Sequence, residues 1–326
     1  QSSLGIIQGK AGAGKSTSLK ALRLAYESQG MTVRGATVAR KAAQQLQADT
    51  GIESGTLASL LNELGKGNTE RFNDTVIVVD EAGLMATPDM LALMNAVHNA
   101  SAKLVLVGEQ EQLDAINHGG SLRYLSQRQG CARINTIRRQ REVWAKTLVN
   151  DLRSGNAEAA LCTLQGKGLL HINDTAQDTR EALVNQWADY TKANPQKQSL
   201  VMAQRWNDVK PLNDLMRTVY QERGLLGNEN LITGCVVSNQ TLHFAFSTGE
   251  RVRLTKNDYT RNFTNGQQGT VMAVAKLKDD VRLTIALDDG RTVNIEQSDY
   301  CDEQNRFHVV QAYAAIIYSA QGATID

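Results

Sequence analysis

Gly9-Lys10-Ala11-Gly12-Ala13-Gly14-Lys15-Ser16 is the stretch on which the reading of this chain turns. Two glycines separated by four residues, then Lys and Ser, form a phosphate-cradling pattern when a strand precedes them and a helix follows. Both flanks are present: an apolar run (Leu4, Ile6, Ile7) before and a helical pattern (Leu19, Leu22, Leu24, Ala25) after. Backbone N–H groups freed by glycine point at an anion, the helix adds its positive end, and Lys15 reaches the β- and γ-phosphates. Gly9, Gly12, Gly14, Lys15, Ser16 and Thr17 are the candidate nucleotide-binding residues. The Ser16 hydroxyl is a candidate Mg²⁺ ligand.

Around this loop the first part of the chain alternates strands and helices. Short apolar runs at Leu4–Ile7, Thr32–Ala36, Val76–Val79 and Leu104–Val107 are separated by helical segments, the pattern of a parallel sheet covered on both faces. Such sheets bind phosphates at the carboxyl ends of their strands. The run Val76-Ile77-Val78-Val79-Asp80-Glu81 delivers two carboxylates to that edge. Asp80 can help hold Mg²⁺, and Glu81 can orient or deprotonate an attacking water. A second carboxylate favours a hydrolase over a small-molecule kinase, which must keep water from the γ-phosphate. Leu104–Gly108 reaches the same edge and leads through Glu109 to Gln112, an amide able to contact a γ-phosphate.

Beyond Val143, helical patterns alternate with apolar runs at Leu169–Ile172 and Leu200–Ala203, a second α/β domain. From about Val236 to Ile295 short strands and turn residues take over, and Asp288-Asp289-Gly290 between alternating runs predicts a hairpin. Hydrophobic residues at 41% and charged residues at 21% describe a globular chain. No apolar run approaches the roughly 20 residues of a membrane helix, and no leader pattern is present. Cys131, Cys162, Cys235 and Cys301 are scattered without a CxxC or Cys/His cluster, which predicts reduced thiols in a cytoplasmic setting and no zinc. Lys and Arg exceed Asp and Glu by only 35 − 34 = 1, so no global basic field announces nucleic acid. A single-strand channel does not require one.

The ordered set of phosphate loop, Asp80-Glu81-Ala82 after a strand, and Gly108-x-x-x-Gln112-Leu113 resembles superfamily 1 DNA helicases of the RecD-like branch. The similarity is nearest to the helicase part of conjugative relaxases, on Arg139-Gln140-Arg141-Glu142 with Trp144 and on Gly249-Glu250-Arg251-Val252-Arg253-Leu254 with Asn265-Gly266. The resemblance implies two RecA-like P-loop domains with an inserted small SH3-like β-barrel: residues 1–125 for the first, 126–235 and 301–326 for the second, 236–300 for the barrel, and a short strand-separating pin within 62–73. It implies ATP and Mg²⁺ as cofactors, with Lys15, Glu81, Gln112 and Arg139 as catalytic residues and Ser16 and Asp80 at the metal. Thr37, Arg40, Lys41, Thr56 and Ser59 would line a path for single-stranded DNA, as would Ser319 and Gln321 in the motif that ends the chain. A solvated helix face is the alternative for Arg40 and Lys41, and a basic helix start for Arg139.

The expected activity is ATP-driven 5′ to 3′ translocation on single-stranded DNA with duplex separation. The alternative is a single-stranded-DNA-binding module with weak or no turnover inside a larger relaxase or repair complex. Glu109 and Tyr318 stand where the family usually has Asp and His. The family's adenine-recognising segment would lie upstream and its second arginine downstream, and a nicking domain is either upstream on the same polypeptide or absent.

Overall fold

In the computed structural model, residues 3–9, 13–66, 70–109, 120–134, 142–258, 260–278 and 280–320 are described, and they belong to two units, Gln1–His171 and Ile172–Asp326. In the first, strands β1 (Leu4–Gly9), β2 (Thr32–Thr37), β3 (Glu53–Thr56), β4 (Thr75–Val79), β5 (Lys103–Gly108) and β6 (Ala132–Ile134) stand in the order β3-β2-β4-β5-β1-β6. Every neighbouring pair is parallel. Parallel neighbours need long crossovers, and helices α1 (Lys15–Glu27), α2 (Arg40–Thr50), α3 (Leu57–Gly65), α4 (Thr87–Asn99) and α5 (Ser121–Gln129) alternate with the strands. Helices α6 (Val143–Arg153) and α7 (Ala157–Gly166) close the unit.

Strand β4 is buried along its whole length, and its twofold period sorts the layers. Val76 and Val78 join Leu19 of α1 and Leu46 of α2 on one face. Ile77 and Val79 join Leu57, Leu60 and Leu64 of α3 and Leu93 of α4 on the other. Each such aliphatic side chain contributes about 1.5–3 kcal/mol by leaving water. With both faces committed, polar groups are confined to the strand ends.

The structure departs from expectation in several places. The first unit continues past residue 125, because β6 pairs with β1 through Ile7–Ala132 and Gly9–Ile134. Leu169–Ile172 is not a strand. Leu169 and Ile172 are exposed, and β propensity without a neighbouring strand does not build one. The span 62–73 holds no hairpin among its described residues. Residues 62–65 complete α3, and residues 70–72 form a single 3₁₀ turn. Its aromatic, Phe72, is only 1% exposed, with the guanidinium groups of Arg34 and Arg71 5.8 and 4.9 Å from its ring centre.

The second unit carries helices α8 (Ala176–Ala193) and α9 (Trp206–Glu222) against a parallel pair, β7 (Val201–Ala203) and β15 (Ala314–Ile316). Between α9 and β15 lies a β-rich segment. Strands β8 (Leu231–Val237) and β9 (Gln240–Phe246) form one hairpin. Strands β10 (Arg251–Leu254), β11 (Gln268–Lys276), β12 (Val281–Leu287), β13 (Thr292–Glu296) and β14 (Val309–Gln311) form an antiparallel sheet in the order β13-β12-β11-β10-β14. Phe244, Phe246, Phe263, Ile285 and Phe307 fill its core. The predicted hairpin is present: β12 turns into β13 at Asp288–Gly290, with Gly290 at φ +88°. The edge strands β13 and β14 do not pair, so no closed barrel forms among the described strands. The β-rich segment is also wider than 236–300, since β8 begins at Leu231 and β14 ends at Gln311. Among the described residues no helix is long and apolar enough to cross a membrane, and the four cysteines are free thiols.

Because Phe72 is a core side chain, Phe72→Ala is expected to lower stability by about 3–5 kcal/mol in urea unfolding. A loss below about 0.5 kcal/mol, the range of surface substitutions, would return Phe72 to an exposed hairpin.

Candidate nucleotide and nucleic-acid site

Gly9 is the last residue of β1 and is buried. A Cβ there would stand 2.6 Å from Lys15 Cγ and 3.0 Å from Lys15 Cδ, so only glycine lets the Lys15 stem lie across the strand end. Gly14 adopts φ +86° immediately before α1, a left-handed backbone that glycine enters without steric cost. Helix α1 then starts at Lys15 with no side-chain cap and no acid in its first turn. Its free N–H groups and positive end are available to an anion. Lys10, Ala11 and Gly12 lie outside the described residues. The strand behind the loop is held by Gln8, whose Nε2 donates to Ser126 Oγ at 2.7 Å; that hydroxyl donates to the Leu122 carbonyl at 2.7 Å.

The carboxylates follow β4. The Asp80 N–H donates to the Ala36 carbonyl at 3.0 Å, which ties the strand end to β2. Asp80 Oδ1 accepts the Glu81 N–H at 2.8 Å, and Glu81 sits at φ +54°, a left-handed conformation uncommon for a non-glycine residue. Burial raises the pKa of Asp80 above its ordinary value, opposed by the Lys15 charge and by the Glu81 N–H. Burial also raises that of Glu81, helped by the adjacent Asp80 and opposed by Lys15. Two acids and one ammonium therefore share a low-dielectric edge, with net negative charge left for a cation.

These residues fit a Mg-nucleotide. Among the described residues no group of three His, Cys, Asp or Glu side chains makes an all-protein metal cage. Mg²⁺ held by one or two protein ligands together with phosphates needs none. Ser16 and Asp80 are the residues that would hold it, with the glycine cradle and Lys15 holding the phosphates. Ser16 Oγ donates to Asp49 Oδ2 of α2 at 3.5 Å, and Gln45 Nε2 donates to the other Asp49 oxygen at 2.7 Å. Asp49 was not a sequence candidate, because it lies 33 residues from Ser16 without a motif of its own.

The third strand end carries Glu109, 5% exposed and ion-paired with Arg153 at the end of α6. The replacement at Glu109 was visible in the sequence; its partner, 44 residues away, was not. Gln112 and Arg139, assigned to the γ-phosphate, lie outside the described residues, as does Gln321.

Two of the DNA candidates of the first unit meet. Thr37 and Thr56 are register partners at the ends of β2 and β3, on the same sheet edge as Gly9, Asp80 and Glu109. Their chemistry differs from expectation. Thr37 is 1% exposed, and its hydroxyl donates to the Ala39 carbonyl at 2.6 Å, so it shapes the turn into α2. Thr56 caps α3 by accepting the Ser59 N–H at 3.2 Å. Arg40 opens α2, while Lys41 and Ser59 are exposed. Ser319, in the second unit, is exposed and donates to the Ile316 carbonyl at 2.9 Å.

A family model described as "AAA domain" matches residues 1–175, more than half of the chain. The chain belongs to the AAA domain family. This AAA domain chain is homologous to the conjugal transfer protein TraA of Agrobacterium fabrum, at 35% identity over 98% of the chain and 28% of TraA. It is also homologous to the ATP-dependent RecD2 DNA helicase of Deinococcus radiodurans, at 27% identity over 98% of the chain and 41% of RecD2. The AAA domain chain thus spans 28% of the length of the TraA relative. Its fold matches the Bacteroides Pif1 helicase in complex with ADP-AlF3 and ssDNA, with a TM-score of 0.58 and 19% identity over 100% of this chain and 82% of that one. A second structure, of Pif1 helicases at forked dsDNA, matches with a TM-score of 0.62 and 18% identity over 99% and 80%. At these identities the likeness establishes the α/β fold with its RecA-like parallel sheet.

A raised carboxyl pKa in the folded state favours folding in acid, and that contribution is lost as pH rises from the unfolded value through the folded one. Asp80→Asn removes the buried charge, so it is expected to raise Tm at about pH 7.5, with the gain vanishing below about pH 4. Differential scanning fluorimetry across that range checks this, and a pH-independent difference would rule out burial of the charge as the cause.

Proposed function

We propose that this chain is the ATP-driven motor part of a conjugative DNA-transfer relaxase, moving 5′ to 3′ on single-stranded DNA and separating duplex. The observation that carries the reading is the single sheet edge on which a phosphate cradle, two half-buried carboxylates and hydroxyl-bearing strand ends converge, in a homologue of TraA. An upstream nicking domain on the same polypeptide belongs to this reading.

Each residue has a defined task. The backbone of Gly9, Gly12 and Gly14 and the ammonium of Lys15 hold the phosphates, with Thr17 at the start of α1. Ser16 and Asp80 would hold Mg²⁺, which when bound would supply positive charge to the phosphate oxygens. Glu81 takes a proton from the attacking water, and its raised pKa makes it a stronger base than an exposed glutamate. Gln112 and Arg139 contact the γ-phosphate; the planar, permanently charged guanidinium suits that task. Arg40, Lys41, Ser59, Ser319 and Gln321 contact the DNA backbone, where cations and hydroxyls position a strand without reading its sequence. Thr37 and Thr56 act through the turns that they hold. The second unit contributes the other RecA-like domain, built on β7 and β15, and the β8–β14 segment is an SH3-like insert of open form.

ATP turnover by the full-length polypeptide, with and without single-stranded oligo-dT, tests the reading. Lys15→Ala is expected to abolish turnover, and Glu81→Gln to lower DNA-stimulated turnover by about 100-fold or more while nucleotide binding persists. Turnover undiminished in Glu81→Gln would sink the mechanism. DNA binding without turnover in the unsubstituted protein would point to a binding module instead.

A further inference from the structure

The Gly249-Glu250 pair singled out in the sequence has no task in nucleotide chemistry, yet it organises the most buried polar cluster of the second unit. Glu250 is 0% exposed, Asn213 0%, Gln311 1%, Tyr313 6% and Arg217 8%. Glu250 immediately precedes β10. Its Oε2 accepts from Arg217 Nε of α9 at 3.0 Å, and its Oε1 accepts the Tyr313 hydroxyl at 2.6 Å and Gln311 Nε2 at 3.3 Å. Arg217 also donates to Ser247 Oγ at 2.6 Å, which in turn donates to the Glu229 carbonyl. Gly249 holds the approach at φ +88°, where a Cβ would stand 2.3 Å from the Leu225 carbonyl oxygen.

The cluster ends on one piece of backbone. Asn213 Oδ1 accepts the N–H of Tyr313 at 3.0 Å and of Ala314 at 3.1 Å, while Tyr220 stacks on the Tyr313 ring at 4.8 Å. Tyr313 leads directly into β15 and then into the 3₁₀ turn Ile317–Ala320, which carries Ser319. Replacing such a cluster by apolar side chains is often neutral for stability. A buried polar network whose charged groups are paired does, however, specify one arrangement of the elements that it joins.

We infer that Glu250, Arg217 and Tyr313 are positioning residues that fix the Ile317–Ala320 segment against the β-rich insert, and so set how tightly that segment holds single-stranded DNA. This rests on the reading of that segment as a DNA contact. None of the three touches DNA; they act through the backbone at Tyr313 and Ala314. The insert is thereby joined to the strand-gripping element through a carboxylate.

The test uses the full-length polypeptide, with ATP turnover titrated against oligo-dT. Tyr313→Phe deletes one hydroxyl and keeps the stacked ring. It is expected to raise the half-saturating oligo-dT concentration about fivefold to tenfold, with saturated turnover changed less than about twofold. Thr233→Val is the stability control, since it deletes a comparable 2.7 Å bond to Gln297 inside the same unit, and it is expected to leave the half-saturating concentration unchanged. Equal shifts in the two variants, or none in Tyr313→Phe, would overturn the inference by leaving the cluster a purely structural joint. Ser319→Ala reports the underlying reading separately. A shift in Tyr313→Phe without one in Ser319→Ala supports the positioning role and moves the DNA contact to another residue of the segment. Turnover of the unsubstituted protein that ignores DNA overturns both.

Discussion

Burial of β4 on both faces is the constraint from which the rest follows. Thr75–Val79 makes its ladder bonds to β2 on one side and β5 on the other, and its side chains are divided between two cores. A strand so enclosed can present polar chemistry only where it stops. It stops at Asp80-Glu81, beside the ends of β2 and β5 in the same sheet. Parallel pairing brings Gly9, Thr37, Thr56 and Glu109 to that edge as well, since every strand of the sheet runs the same way.

Buried acids in the two units have different neighbours and therefore different uses. Glu250 is enclosed and saturated: Arg217, Tyr313 and Gln311 occupy its oxygens, which suits a joint that keeps one geometry. Glu109 is paired with Arg153. Asp80 and Glu81 form a like-charged pair near one ammonium, and burial raises both pKa values. Burial raises the pKa of Glu250 as well, so what separates the sites is the pairing: Glu250 has Arg217 against it, whereas Asp80 and Glu81 repel each other beside one ammonium, a surplus of negative charge that suits a cation.

Much of this was legible in the chain. Short apolar runs announced β1, β2, β4 and β5, and Asp288-Asp289-Gly290 announced its hairpin, because these signals are local. Strands β3 and β6 were not anticipated. Glu53–Thr56 and Ala132–Ile134 are short and carry little apolar pattern; they are strands because β2 and β1 offer them ladder partners. Leu169–Ile172 shows the converse, apolar enough for a strand but without a neighbour. Phe72 stands in a polar, glycine-bearing stretch that reads as a pin, yet one aromatic beside a sheet is drawn into the core by its large apolar area.

The sequence by itself determined the phosphate loop, the paired carboxylates and their common edge, because glycine conformation, the charge of Lys15 and strand period act within a few residues. Tertiary structure alone decided what the other polar residues do. Thr37 turned inward to Ala39, Asp49 came to Ser16, Arg153 came to Glu109, and Arg217 and Tyr313 closed on Glu250. Apart from that of Thr37, each of these pairings joins residues more than 30 positions apart, and no local rule selects a partner at that distance; packing of the helices on the sheets does.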